Sequence, residues 1–229
     1  MTPINLCTGA GTDHAHMHVS APTVEQLPWL QRLLLRRQLR RYGQALVPAL
    51  VWARVPMLHA ALTGFYVALE RRRSPLPPAL RSLVQVRVSQ INHCAFCVDL
   101  NTALAAERAS NDDKVFVVDR WRDDARFDAP ERAALEYAEA ITVTGAQVDA
   151  ALIARLREHF DEAGLIELTA LIAFQNLSSK FNAALDIPAQ GLCRVRSGRD
   201  PTATQSGKTT DATGAPKDAA KARADARDS

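Results

Sequence analysis

The apolar residues of this chain recur at intervals of three and four residues over most of its length. This spacing places the apolar side chains of each segment on one face of an α-helix. The chain has 229 residues, of which 47% are hydrophobic and only 10 are glycine, so it can bury one sizeable core and has few residues suited to β-turns. We therefore predict an all-α protein with one helical domain over residues 23–195.

Both ends of the chain depart from this pattern. Residues 1–22 are polar and irregular, and they lack the charged and apolar regions of a secretory signal. From Arg196 to the C-terminus there is no Val, Ile, Leu, Met, Phe, Tyr, Trp or Cys. Such a segment cannot bury enough apolar surface to offset its ordering entropy. We predict a flexible N-terminal segment over residues 1–22 and a disordered C-terminal tail over residues 196–229.

Prolines predict several helix boundaries in the first half of the domain. Pro77 and Pro78 suit a first helical turn, where the backbone N–H groups have no partner, so we expect them to begin the helix that leads to Cys94. Pro48 and Pro56 are expected to break the helix that precedes it. The cysteine therefore lies at a predicted junction between two helices.

The second half of the domain repeats these features. The stretch Asp128-Ala129-Pro130-Glu131 fits a capping box at the start of one helix, and a last long helix is predicted over about residues 162–185. Residues 168–174 are apolar on nearly every face, so this helix is expected to be central or to pack against another subunit, and we favour a homo-oligomer. Elsewhere, the stripes expected to be buried are Leu27, Leu30, Leu33 and Leu34, and Val148, Leu152, Leu156 and Phe160.

Charge and hydropathy argue against two classes of partner. The longest apolar stretch, residues 44–69, is interrupted by Arg54, His59 and two prolines, so no segment suits a membrane-spanning helix. The formal net charge is +3, and the basic cluster Arg36, Arg37, Arg40 and Arg41 has the spacing of a solvated helix face. We predict a cytoplasmic protein that binds neither a membrane nor nucleic acid.

The chemistry of the chain is expected at Cys94 and Cys97. A thiol near the first turn of a helix lies close to the positive end of the helix dipole, which favours its thiolate, and a neighbour one turn away can close a disulfide. In a reducing compartment this spacing indicates redox chemistry or metal binding rather than a structural cross-link. One such pair supplies only two metal ligands, and Cys7 and Cys193 lie far away in the sequence, so we predict no metal.

Several segments around and beyond the cysteine pair match one known pattern. They are Leu76-Pro77-Pro78, residues 83–92, Cys94-x-x-Cys97, residues 131–142 and residues 170–176. Together they resemble the alkyl hydroperoxidase D-like branch of the carboxymuconolactone decarboxylase family, and the likeness extends over about residues 40–190. The resemblance implies an AhpD-like helical bundle that assembles into a homotrimer or homohexamer.

The same resemblance implies a thiol-dependent peroxidase or disulfide oxidoreductase. In that family the cysteine nearer the C-terminus attacks the hydroperoxide and becomes a sulfenic acid, which its partner resolves as a disulfide. On this chain Cys97 would attack and Cys94 would resolve. The substrate would be a small hydroperoxide or disulfide. The redox-active disulfide would need no other cofactor, and an external dithiol would reduce it.

The chain departs from the family pattern at the proton relay. The family has a Glu twelve residues before the first cysteine and a His four residues after the second, and here these positions hold Ser82 and Asn101. Neither side chain is a general base near neutral pH. Ser82 could order a water, and Asn101 could donate a hydrogen bond to Cys97 across one helical turn. His93 either assists Cys94 or is an exposed, helix-capping residue.

Two other functions remain open at this point. The first is a lactone-cleaving decarboxylase of the same family, although that branch generally lacks the cysteine pair. The second is a non-enzymatic member in which the pair senses redox state or simply packs, while the oligomer binds a partner. The missing relay residues leave open how the thiol is activated.

Overall fold

Eight α-helices and two 3₁₀ segments form the part of the chain that a computed structural model describes, residues 16–108 and 113–193. None of these residues lies in a β-strand, which confirms the all-α prediction. The 3₁₀ segments are Val24–Gln26 and Asp113–Asp123. The helices are α1 (Trp29–Tyr42), α2 (Val47–Ala53), α3 (Pro56–Leu69), α4 (Pro78–Ile91), α5 (Ala95–Arg108), α6 (Ala129–Thr142), α7 (Ala150–Arg157) and α8 (Glu162–Ala184).

The N-terminal segment packs onto the bundle from residue 17 onward. Met17, Val19 and Ala21 contact an apolar cluster around α2 and the start of α5. The backbone N–H of His18 donates to the carbonyl oxygen of Leu185 at 3.2 Å. The packed domain therefore begins before residue 23, which is the predicted boundary. Residues 1–15, which include Cys7, and the predicted tail over residues 196–229 lie outside the described residues.

Helix α4 is the centre of the bundle, and it packs against α5, α6 and α8. It begins at Pro78, as predicted, because that residue needs no backbone donor in the first turn. Its buried side chains include Leu80, Leu83, Val84, Val86 and Val88 together with the polar residues Arg81, Ser82, Gln85, Ser89 and Gln90. Buried polar groups need hydrogen-bond partners, so the positions of the helices around α4 are restricted by these bonds as well as by apolar packing.

Helix α8 is buried on one face and carries exposed apolar side chains on another. Leu168, Leu171 and Ile172 are buried against α4 and α6, whereas Ile166 is 69% exposed and Leu177 is 46% exposed. These outward apolar side chains are available for contact with another subunit. None of the described helices is long and apolar enough to cross a membrane.

The capping residues explain which boundary predictions succeeded. Asp128 caps α6 in a capping box with Glu131, as predicted. Asp149 caps α7 by accepting a hydrogen bond from the N–H of Leu152 at 2.7 Å, so the helix begins only at Ala150. Val148 therefore lies outside the helix and is 39% exposed, contrary to the prediction that it lines the buried face.

Helices α1, α2 and α3 cover the end of the bundle that holds the cysteines. Pro48 and Pro56 lie in the first turns of α2 and α3, so the predicted break falls before each of these prolines, and each begins a new helix. The buried residues of α1 are Gln31 and Leu35, and the predicted stripe residues Leu30 and Leu33 are exposed. Leucines occur on several sides of α1, so spacing alone did not identify its inner face.

Hydrogen bonds of two buried side chains, Asp99 and Gln190, connect residues 187–193 to α5 and to the start of α2. The carboxylate of Asp99 on α5 accepts hydrogen bonds from three backbone N–H groups, those of Gln190, Leu192 and Cys193, at 2.6 to 2.9 Å. The side chain of Gln190 accepts from the N–H of Val47 at 2.8 Å and donates to the carbonyl of Ala45 at 3.2 Å. The C-terminal segment therefore ties the start of α2 to α5.

The central contact between α4 and α8 can be tested by truncating one side chain. Leu168 is fully buried, so Leu168→Ala is expected to lower the free energy of unfolding by about 2–5 kcal/mol, through lost transfer energy and a residual cavity. Lys180→Ala at an exposed site of the same helix is the matched control, with an expected change within about 0.5 kcal/mol. Urea unfolding followed by circular dichroism measures both, and equal losses would contradict this account of the core.

Candidate active site

The candidate site begins at the turn between α4 and α5. The N–H of His93 donates to the carbonyl of Gln90, and the N–H of Cys94 donates to the carbonyl of Ser89, both at 3.1 Å. With His93 at a φ of 52°, these bonds form a Schellman motif that ends α4. His93 is exposed and takes the left-handed position that glycine usually fills. The structure thus supports a helix-capping role for His93.

The same turn makes Cys94 the N-cap of α5. Its carbonyl accepts the first helical hydrogen bond, from the N–H of Val98 at 3.0 Å, and its Sγ accepts from the N–H of Cys97 at 3.2 Å. The two sulfurs are joined as a disulfide between Cα atoms 5.3 Å apart, within the usual range. Cys94 and Cys97 are 1% and 2% exposed. The structure is therefore that of the oxidised pair.

The sulfur of Cys97 has a polar neighbour that the sequence did not identify. Asn182 on α8 donates from Nδ2 to Cys97 Sγ at 3.2 Å. Asn101, which we expected to make this bond, donates instead to Ser89 Oγ at 3.3 Å. The hydrogen bond to the sulfur therefore comes from a side chain of α8 and not from the next turn of α5. The Oδ1 atom of Asn182 is buried and has no hydrogen-bond partner among the described residues.

Asn101 belongs to a small polar network at the contact of α4, α5 and α8. Ser89 Oγ donates to the carbonyl of Gln85 at 2.6 Å and accepts from Gln175 Nε2 at 3.0 Å as well as from Asn101. These groups are all buried, and each bond avoids the cost of about 1–3 kcal/mol for a buried group left unpaired. The network fixes the three helices that carry the site and contains no group that titrates near pH 7.

Ser82 lies away from the cysteine pair. Its Oγ donates to the carbonyl of Pro78 at 3.1 Å and accepts from Arg108 at 3.0 Å, and Arg108 also pairs with Glu70. Seven residues separate Ser82 from Ser89, which is a rise of roughly 10 Å along α4. Of the four predicted site residues, the structure thus brings Cys94, Cys97 and Asn101 into one region and places Ser82 in an ionic cluster two turns away.

A cavity of about 180 Å³ opens beside Cys97, between the cover helices α1–α3 and the helices α4, α5 and α8. Cys97 is part of its wall and Cys94 is not. Its other walls are mainly apolar and aromatic, and none of the described residues that line it is Asp, Glu, Lys or Arg. The aromatic and polar side chains that line it include Gln38, Tyr42, Trp52, His59, Tyr66, Phe96, Phe174 and Asn182.

Three titratable side chains besides Cys97 line this cavity. Burial raises the pKa of Tyr66 to about 12, and burial also raises the pKa of Tyr42. His59 is 4% exposed, and burial lowers the pKa of its imidazole below the ordinary value of 6.5. At neutral pH all three side chains are uncharged, so the cavity is suited to a neutral, apolar ligand.

Several polar residues near Cys97 that the sequence did not identify lie on α3 and α8, which are far from Cys97 in the sequence. His59 was visible only as a polar interruption of an apolar stretch on α3. Gln175, Ser179 and Asn182 occupy the buried stripe of α8 at helical spacing, so polar residues at core positions were an available signal. Among the described residues, no group of three or more His, Cys, Asp or Glu side chains could hold a metal ion.

Comparisons of the sequence point to one family. A model described as the carboxymuconolactone decarboxylase family matches residues 56–140. An uncharacterized protein of Escherichia coli (strain K12), YnjA, is 48% identical over 174 residues, which span 76% of this chain and 96% of that protein. The protein YdfG of Bacillus subtilis (strain 168) is 31% identical over 115 residues, or 50% of this chain and 78% of the relative.

Solved structures share the fold at lower identity. The debrominase Bmp8 has a TM-score of 0.69 and 22% identity, covering 76% of this chain and 93% of its own. The alkylhydroperoxidase AhpD core of an uncharacterized peroxidase-related protein from Ralstonia eutropha JMP134 has a TM-score of 0.70 and 21% identity, covering 78% and 95% of the two chains. The AhpD-like form of the predicted helical bundle is thereby confirmed.

Substitution of His93 can test whether this residue caps α4 or takes part in the reaction of Cys97. Since a left-handed residue other than glycine is strained by roughly 1 kcal/mol or more, His93→Gly is expected to keep or raise stability and to leave the reactivity of Cys97 unchanged. His93→Val is expected to lose about 1–2 kcal/mol, because a β-branched side chain suits this conformation least. Thermal unfolding and thiol titration measure these effects, and a His93→Gly protein that folds but has an unreactive Cys97 would contradict the capping role.

Proposed function

This chain belongs to the carboxymuconolactone decarboxylase family, and from that premise we propose that it is a thiol-dependent peroxidase that reduces neutral organic hydroperoxides. The observation that supports the proposal best is the position of Cys97 in the wall of an uncharged, mainly apolar cavity, with a second cysteine bonded behind it. A reactive thiol needs both a place for its substrate and a partner that resolves its oxidised form.

The two cysteines have different roles in this proposal. Cys97 attacks, because its side chain lines the cavity whereas that of Cys94 does not. Asn182 donates a hydrogen bond to Cys97 Sγ, and such a bond favours a sulfur that carries negative charge. Cys94 resolves, and its Sγ lies at the helix N-cap, where a backbone N–H and the helix dipole favour its thiolate.

The proposed cycle balances without a further cofactor. The thiol of Cys97 loses its proton, and the thiolate attacks the terminal oxygen of ROOH. The O–O bond breaks, the sulfur becomes a sulfenic acid, and the leaving alkoxide takes up that proton to become the alcohol ROH. Cys94 then attacks the sulfenic sulfur, forming the disulfide seen in the structure and releasing water. An external dithiol supplies the two electrons that return the pair to thiols.

The cavity supports a substrate with a hydrogen-bond donor at one end. Asn182 Oδ1 and Gln38 Oε1 are buried acceptors without a partner among the described residues, and both side chains line the cavity. A ligand O–H that reaches one of them would remove a cost of about 1–3 kcal/mol. A hydroperoxide carries such an O–H on the oxygen that the thiolate attacks.

The absence of charge from the described cavity walls favours a peroxidase over the lactone-cleaving alternative. A carboxylated lactone would bring negative charge to a site whose described walls contain no Lys or Arg. A buried carboxylate without a cation or several donors carries a large desolvation cost. The decarboxylase function also gives no role to the cysteine pair.

The aromatic side chains in the walls favour a second candidate, the reductive removal of bromide from a neutral aryl bromide. The protein Bmp8, which shares the fold, is described as a debrominase, and one of its structures holds 2,3,4-tribromopyrrole. In this reaction, two thiols would supply the two electrons that convert Ar–Br into Ar–H and bromide, and the pair would again become a disulfide. Bromide release from a bromoarene is the measurement that distinguishes this candidate from hydroperoxide consumption.

The cysteine roles can be tested by single substitutions in an assay with a dithiol reductant. Cys97→Ser is expected to reduce hydroperoxide consumption to the uncatalysed rate, because no nucleophile then faces the cavity. In the absence of the dithiol, pre-reduced Cys94→Ser is expected to consume about one equivalent and to retain a sulfenic acid at Cys97, which dimedone labelling and mass spectrometry detect. Turnover that is unchanged in both variants would exclude the proposed function.

We also propose that the chain forms a homotrimer or homohexamer, as the family resemblance implies. Large apolar side chains are exposed on the cover helices and on α8, namely Trp29, Leu30, Leu33, Met57, Leu58, Phe65, Val67, Ile166 and Leu177. Apolar exposure on this scale usually marks an interaction surface. It lies on the helices that enclose the cavity, so assembly would also shield the site from solvent.

The assembly can be tested by sedimentation analysis. The expected mass is three or six times the chain mass of 25.0 kDa. Met57 is 81% exposed, and Met57→Glu is expected to shift the mass toward that of a single chain because a charge is costly to bury in an apolar interface. Lys180→Glu at an exposed polar position is the control and should not shift it. A wild-type mass of 25.0 kDa at micromolar concentration would contradict the assembly.

A further inference from the structure

The proposed peroxidase has no base at Ser82 or Asn101, yet another titratable group shares the cavity with Cys97. His59 on α3 lines the same cavity from the opposite, cover-helix side. It is nearly fully buried on a helix whose neighbouring residues Met57 and Leu58 are exposed and apolar. A buried titratable side chain in the wall of a cavity is a candidate for a functional role.

We propose that His59 is the acid–base residue of this site, and that it performs the proton transfer for which the family uses the relay positions. This inference rests on the proposed function, because it assigns a role within the same thiol chemistry. His59 reaches the cavity from a helix of the cover, whereas the family's relay residues lie on the two helices that flank the cysteines.

The hydrogen bonds of His59 determine which nitrogen is available. Its Nδ1 is hydrogen-bonded to Oε1 of Gln31, a buried residue of α1. Because that oxygen can only accept, Nδ1 carries the ring proton of the neutral imidazole. Among the described residues, Nε2 has no hydrogen-bond partner. Nε2 therefore retains the free lone pair that a base needs, and Gln31 holds the ring in one tautomer.

The electrostatics of the cavity keep His59 in its basic form at neutral pH. Burial lowers the pKa of His59 below 6.5, so the imidazole is uncharged at pH 7. The titratable side chains that face it are Tyr42 from α1, Tyr66 from α3 and Cys97 from α5, and the described residues of α2, α4 and α8 add none to the cavity wall. Both tyrosines have raised pKa values, so only His59 titrates in the mildly acidic range.

The proton transfers balance over one turnover. Nε2 of neutral His59 accepts the proton of the Cys97 thiol as the sulfur attacks the terminal peroxide oxygen. The O–O bond breaks, sulfur is oxidised to the sulfenic acid, and the leaving alkoxide takes the proton from the imidazolium to become the alcohol. His59 ends the step neutral again. Asn182 and the helix terminus stabilise the sulfur during the step but exchange no proton.

The test uses the reduced full-length protein and cumene hydroperoxide, with Cys97 oxidation followed by stopped-flow fluorescence. For the wild type, the rate is expected to rise with pH through a value below 6.5 and to level off near neutrality, because only neutral His59 accepts a proton. His59→Asn is expected to lose this transition and to be about 100-fold slower at pH 7. His159→Asn, the same substitution at an exposed histidine, is the matched control and should retain the wild-type profile.

Gln31→Glu provides a second variant that keeps the imidazole. A carboxylate beside Nδ1 favours the imidazolium, so the transition is expected to move to higher pH. A residue with only a packing role would show no such shift. Circular dichroism confirms that each variant is folded, and a Gln31→Glu profile with the wild-type transition would overturn the assignment even if His59→Asn does not fold.

A second reagent separates this inference from the proposed function. The uncharged disulfide 4,4′-dithiodipyridine reports on attack by Cys97 without any peroxide, and mass spectrometry identifies the labelled residue. A wild type that ignores cumene hydroperoxide but whose Cys97 labelling depends on His59 would overturn the peroxidase and support His59. A wild type that reduces cumene hydroperoxide at the same rate as folded His59→Asn would support the peroxidase and overturn His59.

Discussion

The turn between α4 and α5 is the feature on which the rest of the site depends. One residue in the left-handed conformation, His93, ends α4 and allows the next residue, Cys94, to cap α5. Because only residues 92–94 separate the two helices, the cysteine pair lies at the start of α5 and close to α4, in which ten of fourteen residues are buried. The pair is therefore buried and also placed at a helix N-terminus, two conditions that act in opposite directions on a thiolate.

Hydrogen bonds hold the polar side chains around the buried cysteine pair in fixed positions. Within the described residues, Ser89, Gln175 and Asn101 satisfy one another between helices, and Asp99 binds backbone N–H groups of residues 190–193. Some of the buried polar atoms without a partner among the described residues line the cavity, namely Asn182 Oδ1 and Gln38 Oε1, and His59 Nε2 has no partner there either. Because an unsatisfied polar group is costly in a core, a ligand that pairs with these atoms gains binding free energy.

Local sequence signals predicted the features that depend on a few neighbouring residues. Pro78, the capping box at Asp128 and the position of Cys94 between two helices are of this kind, since each depends on the hydrogen bonds of a single helix end. The inner face of α1 and the start of α7 were not predicted well, because exposed leucines and Val148 match the spacing of buried residues. Two residues that line the cavity with Cys97 were also missed: His59 and Asn182 reach the cavity only through tertiary packing of α3 and α8, which periodicity does not describe.

The difference between the two sulfurs also restricts how the pair is reduced. Both cysteines are at most 2% exposed and only Cys97 lines the cavity, so in the proposed cycle the reductant attacks Cys97 from the cavity. Attack on Cys97 makes Cys94 the leaving group, and Cys94 Sγ accepts a hydrogen bond from the backbone N–H of Cys97 in the first turn of α5. The better-stabilised thiolate leaves faster, so the same turn that buries the pair also favours its reduction from the cavity side. In the proposed cycle, the substrate and the dithiol therefore enter by one route and use it in turn.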